Sequence, residues 1–459
     1  MCKNSASMLT CEPMNANNKQ LFSRRDFLVM SSCVAGASVT GCATNPVTGR
    51  SQFMLMSESK ELETDRNIAP HQFSADYGAV KDKELNSYVS KIGNDIARYS
   101  HRPQMPYNFR VLNSNVVNGY TFPAGSVGLD RGLMITMEDE SQLAAVIGHE
   151  IGHVSYRHAG ERMSKQLAWM GAVALLGAYL EYEKKKYAAL AAGLGAIGAN
   201  MLLCRYSREN EREADEIGME YMVRAGHNPR GMVGLMDCFR KLSKSKPNVV
   251  EVLFSTHPMS DERYNTAASR IKNKYSDKES LSLNRERYMD YTAKLRSIRG
   301  AIELMQDGEQ ALMSNKLPQA EAKCREALNL VPGDYVGLLL VAKCLLVQKK
   351  YAEAVKYAEE AKTVYPEEPQ AKHLCGIIKI GNSQFESALN DFKFYEGALP
   401  GNPNTIYYQG FCHEKMGQKP MAAEKYQKYL NQDPQGEYSE NAKARLIQWG
   451  YIKEQKQAT

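Results

Sequence analysis

Residues 138–158 read EDESQLAAVIGHEIGHVSYRH, and inside them His149-Glu150-Ile151-Gly152-His153 forms an H-E-x-x-H motif. Leu143, Val146, Ile147 and Ile151 recur at helical spacing, which predicts one buried amphipathic helix. Residues at i and i+4 share a helix face, so both imidazoles can reach one Zn²⁺ at roughly 2.0–2.1 Å. Glu150 lies beside them, placed to take a proton from an attacking water. A solvent-facing histidine pair is the plain alternative. The motif sits within an apolar run, however, where free charged side chains are costly without a metal or partners.

A catalytic zinc takes three protein ligands and keeps one open position. Residues 207–215, SRENEREAD, offer the missing ligand, because Glu211 and Asp215 stand at i and i+4 on a second predicted helix. Glu211 would close a His₂Glu site with His149 and His153, holding one Zn²⁺ per subunit. Asp215 would hydrogen-bond a ligand or the substrate. Taken alone, so dense a charged face reads as solvated helix surface. Between the two helices lie apolar residues 167–180 and 187–204, separated by the charged stretch 181–186. The first is too short for a bilayer and the second is marginal. A helical hairpin packed over the core is expected there, touching lipid at most at its tip.

The C-terminal third repeats itself. Pro332, Pro366, Pro400 and Pro434 are each 34 residues apart, and Ala320, Ala354, Ala388 and Ala422 keep the same register. Leu317, Tyr351 and Phe385 share a third register position, which Lys419 breaks. Small residues let paired helices approach closely, and proline stops the second helix of each pair. This spacing resembles the tetratricopeptide repeat: four copies over residues 301–434, then a capping helix around residues 440–449. Such an array offers a groove for peptides or proteins, or is purely structural.

The N-terminus reads as an address. Arg24-Arg25 with Phe27-Leu28 precedes a weakly apolar stretch to Val39. That pattern fits a twin-arginine export signal, with an ordinary signal that happens to hold two arginines as the alternative. Val39-Thr40-Gly41-Cys42 resembles a bacterial lipobox, so Cys42 is the expected lipidation site and the mature protein is expected on a membrane surface. Ala43 is not the aspartate associated with inner-membrane retention, which favours a periplasm-facing place at the outer membrane. Of ten cysteines, Cys2, Cys11 and Cys33 would leave with the signal. Cys204, Cys238, Cys324, Cys344, Cys375 and Cys412 show no C-x-x-C and read as buried thiols outside any disulfide framework.

Composition sets the outer limits. The chain has 459 residues, 43% hydrophobic and 24% charged, enough for about three domains. Gly 33 and Pro 17 exclude a collagen-like or wholly disordered chain. A mean hydropathy of −0.47 speaks against a polytopic membrane protein. Net charge is only +6 with no long basic run, so nucleic-acid binding has no support.

H-E-I-G-H followed by S-R-x-x-E-x-E-A-D resembles the gluzincin family of zinc metalloproteases that holds the heat-shock protease HtpX and the CAAX prenyl-protein endopeptidases. Residues 118–125, NGYTFPAG, resemble that family's N-A-F-A-L-P-G-G stretch, with Gly119 and Ala124 departing from it. Thr256-His257-Pro258 and Arg263 match a further segment. With a signal, a protease core and tetratricopeptide repeats, the chain is similar to the family's periplasmic branch. The resemblance implies a second-shell or proton-donating role for Asp215, beside Glu150 in the catalytic set. It puts His257 near the zinc, either as a regulatory cap on the open position or as an oxyanion stabiliser, where the residues alone read as a loop histidine. Asn118, Tyr120 and Phe122 would lie on a strand that holds extended substrate by backbone pairing. His158, at i+5 from His153, reads as a structural neighbour.

The expected fold class is mainly α: a zincin-type metalloprotease domain with a small β-sheet from residues 107–130, followed by an α-solenoid. The expected boundaries are an export signal over 1–41, a tether over 42–58, the protease domain over 59–275, a helical connector over 276–300, and repeats plus capping helix over 301–459. The expected function is a zinc endopeptidase of the cell envelope acting on misfolded or stalled outer-membrane proteins. The repeats would recruit these clients and contact outer-membrane assembly machinery. A non-proteolytic chaperone or scaffold that uses the repeats is the rival, and the presence of every inferred ligand and of Glu150 argues against it.

Overall fold

A computed structural model describes residues 42–179 and 205–453, without the side chains of residues 170–179. The export signal (1–41) and the apolar segment 187–204, with Cys204, lie outside the described residues.

The fold is mainly helical, with a domain that holds a small β-sheet followed by helical repeats. It begins with a hairpin of β1 (Cys42–Thr44) and β2 (Ser51–Phe53), paired antiparallel. Residues 42–58 are therefore not the free tether expected. Asn45 Oδ1 accepts the amides of Val47 and Thr48 to close the turn, at 2.9 and 3.1 Å. Met54 and Met56 are buried, and the amides of Leu55 and Met56 donate to Ser164 Oγ at 2.8 and 3.2 Å. The apolar methionines and the satisfied backbone fix the segment to the body of the protein.

Two helices follow, α1 (Glu58–Ala75) and α2 (Lys83–Ala97), capped by Ser57 and Asp82. Strands β3 (Asn108–Leu112), β4 (Gly119–Thr121) and β5 (Ser126–Asp130) form a sheet in the order β3-β5-β4. β3 runs parallel to β5 and β4 antiparallel to it, so β4 is an edge strand. A short α3 (Arg131–Thr136) leads to α4 (Glu140–Tyr156), whose N-cap Asp139 accepts the Gln142 amide at 2.9 Å. Every residue of α4 is buried, so its one-sided apolar pattern understates how deeply it sits. Arg157, at φ 61°, ends it in the left-handed region, and α5 (His158–Tyr179) sets off in a new direction. No helix among the described residues is long and apolar enough to cross a membrane.

Helix α6 (Arg208–Arg224) opens with a capping box between Ser207 and Asn210. It packs backbone to backbone on α4. A Cβ on Gly148 would lie 2.6 Å from Gly218 O, and one on Gly218 would lie 2.6 Å from Gly148 C. Only glycine at both places allows this approach, which sets the start of α6 against the C-terminal half of α4, where a Cβ on Gly152 would lie 2.9 Å from Ala214 O. Helices α7 (Arg230–Ser245), α8 (Glu251–Thr256) and α9 (Asp261–Lys274) wrap the other side of the site.

After α10 (Arg285–Ser297) the repeats begin. The pairs are α11 (Arg299–Met313) with α12 (Leu317–Leu330), α13 (Tyr335–Val347) with α14 (Tyr351–Val364), α15 (Gln370–Gly381) with α16 (Phe385–Ala398), and α17 (Pro403–Lys415) with α18 (Lys419–Gln432). A last helix, α19 (Ser439–Gln448), covers α18. The register alanines Ala320, Ala354, Ala388 and Ala422 are all fully buried between paired helices. One apolar core runs without a break from α2 to α15, whereas the last repeats have small cores of their own. The first repeats are thus fused to the domain that precedes them, and their facing surface is covered rather than open. Cys324, Cys344, Cys375 and Cys412 are buried and unbridged, and Cys238 is half-buried.

Candidate metal centre

His149 and His153, one turn apart on α4, aim their Nε2 atoms at the same point, 3.0 Å from each other. Their rings stand almost perpendicular, at 86°. The glycine contact between α4 and α6 delivers Glu211 from above. Its Oε2 lies 3.6 Å from His149 Nε2 and its Oε1 lies 3.5 Å from His153 Nε2. His257, which caps the C-terminus of α8, brings Nδ1 to 3.1 Å from Glu211 Oε1 and 3.3 Å from His149 Nε2. All four donor atoms fall within 4.8 Å of one another, and all four residues are buried. Two imidazoles and a carboxylate, with a third imidazole alongside, form a donor set suited to zinc.

Glu150 points into the same space. It is 2% exposed, and its Oε2 has no hydrogen-bond partner among the described residues. Burial pushes its carboxyl above the usual range, against the nearby His257 and His149. Burial also works to raise Glu211, but the His257 and His149 imidazoles overcome it and hold that carboxyl well below its ordinary value. Burial keeps His153 well below the normal histidine range, so it is a neutral imidazole with a lone pair to offer.

A second layer orients the donors. His149 Nδ1 lies 2.9 Å from Asp215 Oδ1, which leaves Nε2 facing the cluster. Arg263, on α9, donates to both Asp215 oxygens, and its Nη1 lies 2.7 Å from Glu211 Oε2. His153 Nδ1 meets His158 Nδ1 at 2.9 Å, and His158 passes on to Glu213 at 3.0 Å. Tyr206 stacks on His153 with ring centroids 3.9 Å apart. The sequence reading gave Arg263 no partner and passed over Tyr206 and the His158–Glu213 pair. The signal for this pairing was Asp215 itself, a carboxylate that needs a cation once the fold buries it.

Asn118, Tyr120 and Phe122 sit on or beside β4, but their side chains are buried away from the four donors. Tyr120 donates to Asp76 at 2.5 Å, and Phe122 packs edge-on to Phe73. Phe122 N bonds to Ser126 O, and Asn118 O accepts from Asp130 N, so the even positions face β5. By strand alternation, the N–H and C=O of Gly119 and Thr121 point away from β5, on the sheet's edge side. Gly119 lines a cleft of about 470 Å³ that runs past His149, Glu150 and His257 between apolar Leu235, Met236 and Phe239.

A second group, Glu359, Cys375 and Asp391, also has its donor atoms within 4.8 Å. There the carboxylates are already neutralised: Lys379 and Lys362 reach Asp391 at 2.6 and 2.7 Å. That group is a set of ion pairs between repeats.

Residues 83–271 match the model of peptidase family M48, and residues 405–436 match that of a tetratricopeptide repeat. The chain is 26% identical over 387 residues to the beta-barrel assembly-enhancing protease of Yersinia pestis, covering 78% of each. It is 28% identical over 243 residues to the protein of that name in Escherichia coli (strain K12), covering 52% of this chain and 49% of that one. A mitochondrial metalloendopeptidase of Arabidopsis thaliana is 30% identical over 209 residues, covering 44% of this chain and 40% of its own. The chain thus spans about three quarters of the Yersinia relative and about half of the Escherichia one.

Proposed function

The chain carries a zinc metalloendopeptidase domain of peptidase family M48 followed by tetratricopeptide repeats, and from that premise we propose that it cleaves misfolded or stalled outer-membrane proteins in the bacterial cell envelope. The observation that carries the reading is the meeting of His149, His153 and Glu211 beside Glu150, whose Oε2 has no hydrogen-bond partner among the described residues. Relatives named for enhancing beta-barrel assembly support the choice of substrate class. His149, His153 and Glu211 hold one zinc. When bound, zinc polarises the scissile carbonyl and acidifies water.

The chain's own residues do the rest. Gly119 and Thr121 pair with an extended substrate along the β4 edge, which selects unfolded segments over folded helices. Glu150 takes the proton of the attacking water on its unpaired Oε2 and returns it to the leaving amine. Asp215, with both oxygens engaged by Arg263 and one by His149, holds the imidazole in place and is a positioning residue rather than the proton donor. His257 covers the site as a cap. Cys42, exposed at the start of β1, anchors the protein to lipid after export directed by Arg24-Arg25. The docked hairpin then keeps the protease close to the periplasmic face of the outer membrane. The repeats recruit clients and contact the assembly machinery through their C-terminal copies.

The test uses the full-length protein and Glu150→Gln. Wild type is expected to hold about one zinc per chain and to digest an unfolded outer-membrane protein. Glu150→Gln is expected to keep the metal and lose digestion by roughly two to four orders of magnitude. Equal digestion by both removes the assignment and leaves the repeats to act without cleavage.

A further inference from the structure

The loop that leads into β4 is held by the repeats. Asn115, four residues before Gly119, is fully buried, and its backbone oxygen accepts from Gln306 Nε2 of α11 at 2.7 Å. Its side-chain Nδ2 donates to Glu309 of α11 at 3.2 Å. Its Oδ1 accepts twice from Arg131, from Nε at 2.9 Å and Nη2 at 2.7 Å. The same guanidinium is gripped from the other side by Asp334, the N-cap of α13, at 2.8 and 3.2 Å. Burial works to raise the Asp334 carboxyl, and Arg131 overcomes this to hold it below its ordinary value.

Arg131 directly follows Asp130, the last residue of β5, whose amide bonds to Asn118 O at 3.0 Å. One buried cation therefore ties the entry loop of β4, the end of β5 and the cap of a repeat helix together. A Cβ on Gly132 would lie 2.0 Å from Asn115 O, so α3 already presses on this loop and leaves it no room to shift independently. The polar groups of Asn115 are thus taken up by α11 and by Arg131, and Arg131 in turn by the cap of α13.

We propose that the first two repeats position the substrate strand, with Asp334 and Glu309 holding Arg131 and Asn115 so that Gly119 and Thr121 present their backbone groups at the right place beside the metal centre. This rests on reading β4 as the substrate strand. Its consequence is that binding on the repeats and cutting at the zinc share one mechanical part. A client that displaces α13 changes how well the cleft holds a peptide. Arg131, Asn115 and Asp334 touch neither metal nor substrate and act as positioning residues.

The experiment compares full-length wild type with Asp334→Asn and Lys81→Ala. Lys81 makes a different contact between the domains, donating to Val364 O at 3.1 Å. In Asp334→Asn, amide hydrogens of residues 115–121 are expected to exchange about tenfold faster, with zinc content and exchange in α4 unchanged. For an unstructured peptide, KM is expected to rise about tenfold at constant kcat. Lys81→Ala is expected to change neither. Arg131→Lys keeps a cation opposite Asp334 but drops the fork to Asn115, and it is expected to give the same local acceleration should Asp334→Asn not fold. Unchanged exchange at 115–121, or equal acceleration across the whole chain, overturns the proposal. Local acceleration in a protein whose wild type cuts no peptide would instead sink the protease reading and leave the clamp on β4 standing.

Discussion

Arg263 forks across Asp215, with Nε 2.7 Å from Oδ2 and Nη2 2.8 Å from Oδ1, while Oδ1 also meets His149 Nδ1 at 2.9 Å. The carboxylate is thus held on one side by a rigid planar cation and on the other holds a metal-facing imidazole. Burial acts to raise the Asp215 carboxyl, and Arg263 reverses that, holding it below its ordinary value. Asp215→Asn keeps the shape but removes the charge that fixes the His149 tautomer. Zinc affinity is expected to fall by roughly 10–100-fold. Competition with a fluorescent chelator reads this directly, and an unchanged affinity would remove Asp215 from the support of the site.

His257 stands with the three inferred ligands rather than behind them. A fourth protein donor at a site that needs an open position closes it. His257→Ala is expected to raise basal peptide hydrolysis roughly tenfold through kcat/KM, with the metal retained. A fall in hydrolysis instead assigns the ring to the developing oxyanion.

Glu368 links the repeats to α1: Ser74 Oγ donates to its carboxylate, and the Gln370 amide donates at 3.3 Å. Burial pushes this carboxyl up to about 7 from an ordinary 4.5, with Lys372 the nearby cation opposing the shift. Below pH 4.5 both folded and unfolded chains hold the proton and the group is neutral to stability. Between 4.5 and 7 the unfolded chain releases it first, so stability falls as pH rises. Above 7 the loss is complete, at about 3 kcal/mol. Buried His373, pushed down to about 4, has the opposite slope, so the wild-type profile alone mixes the two. The difference between Glu368→Gln and wild type isolates the carboxyl. The variant is expected to gain on wild type by up to about 3 kcal/mol between pH 4.5 and 7.5 in urea titrations. Parallel profiles would show that Glu368 is already ionised in the folded chain.

Much of the site was legible because its parts are local. His149, Glu150 and His153 fall on one turn, and Glu211 and Asp215 on another, so helix geometry alone groups each set. Bringing the sets together depended on Gly148 and Gly218, whose meaning appears only when two backbones touch. The repeat period was visible for the same local reason. The fusion of repeats to protease was not, since Arg131 and Asp334 are far apart in the chain and neither belongs to a pattern. Helix α13 carries a sign of it: ten of its residues, from Tyr335 to Leu345, are buried, too many for one that packs only on its neighbours in an array. Residues 42–58 looked like a linker because a three-residue strand leaves almost no periodicity to read.

The β4 edge gives the most direct test of substrate pairing. Thr121 N–H points away from β5 by strand alternation, so proline at 121 removes no ladder bond. Tyr120, the residue before it, is already in a strand, which is the backbone region that a following proline requires. Thr121→Pro therefore deletes one outward donor and sets a ring carbon where the substrate backbone would approach. One lost hydrogen bond is about 0.5–1.5 kcal/mol, and the added clash makes a rise in KM of roughly tenfold or more the expected result. Zinc content is expected to stay at the wild-type level, because Thr121 touches none of the four donor residues. If peptide KM is unmoved in a folded, metal-loaded Thr121→Pro protein, the substrate does not pair with this edge, and the chain must be gripped by the apolar wall around Leu235 and Met236 instead.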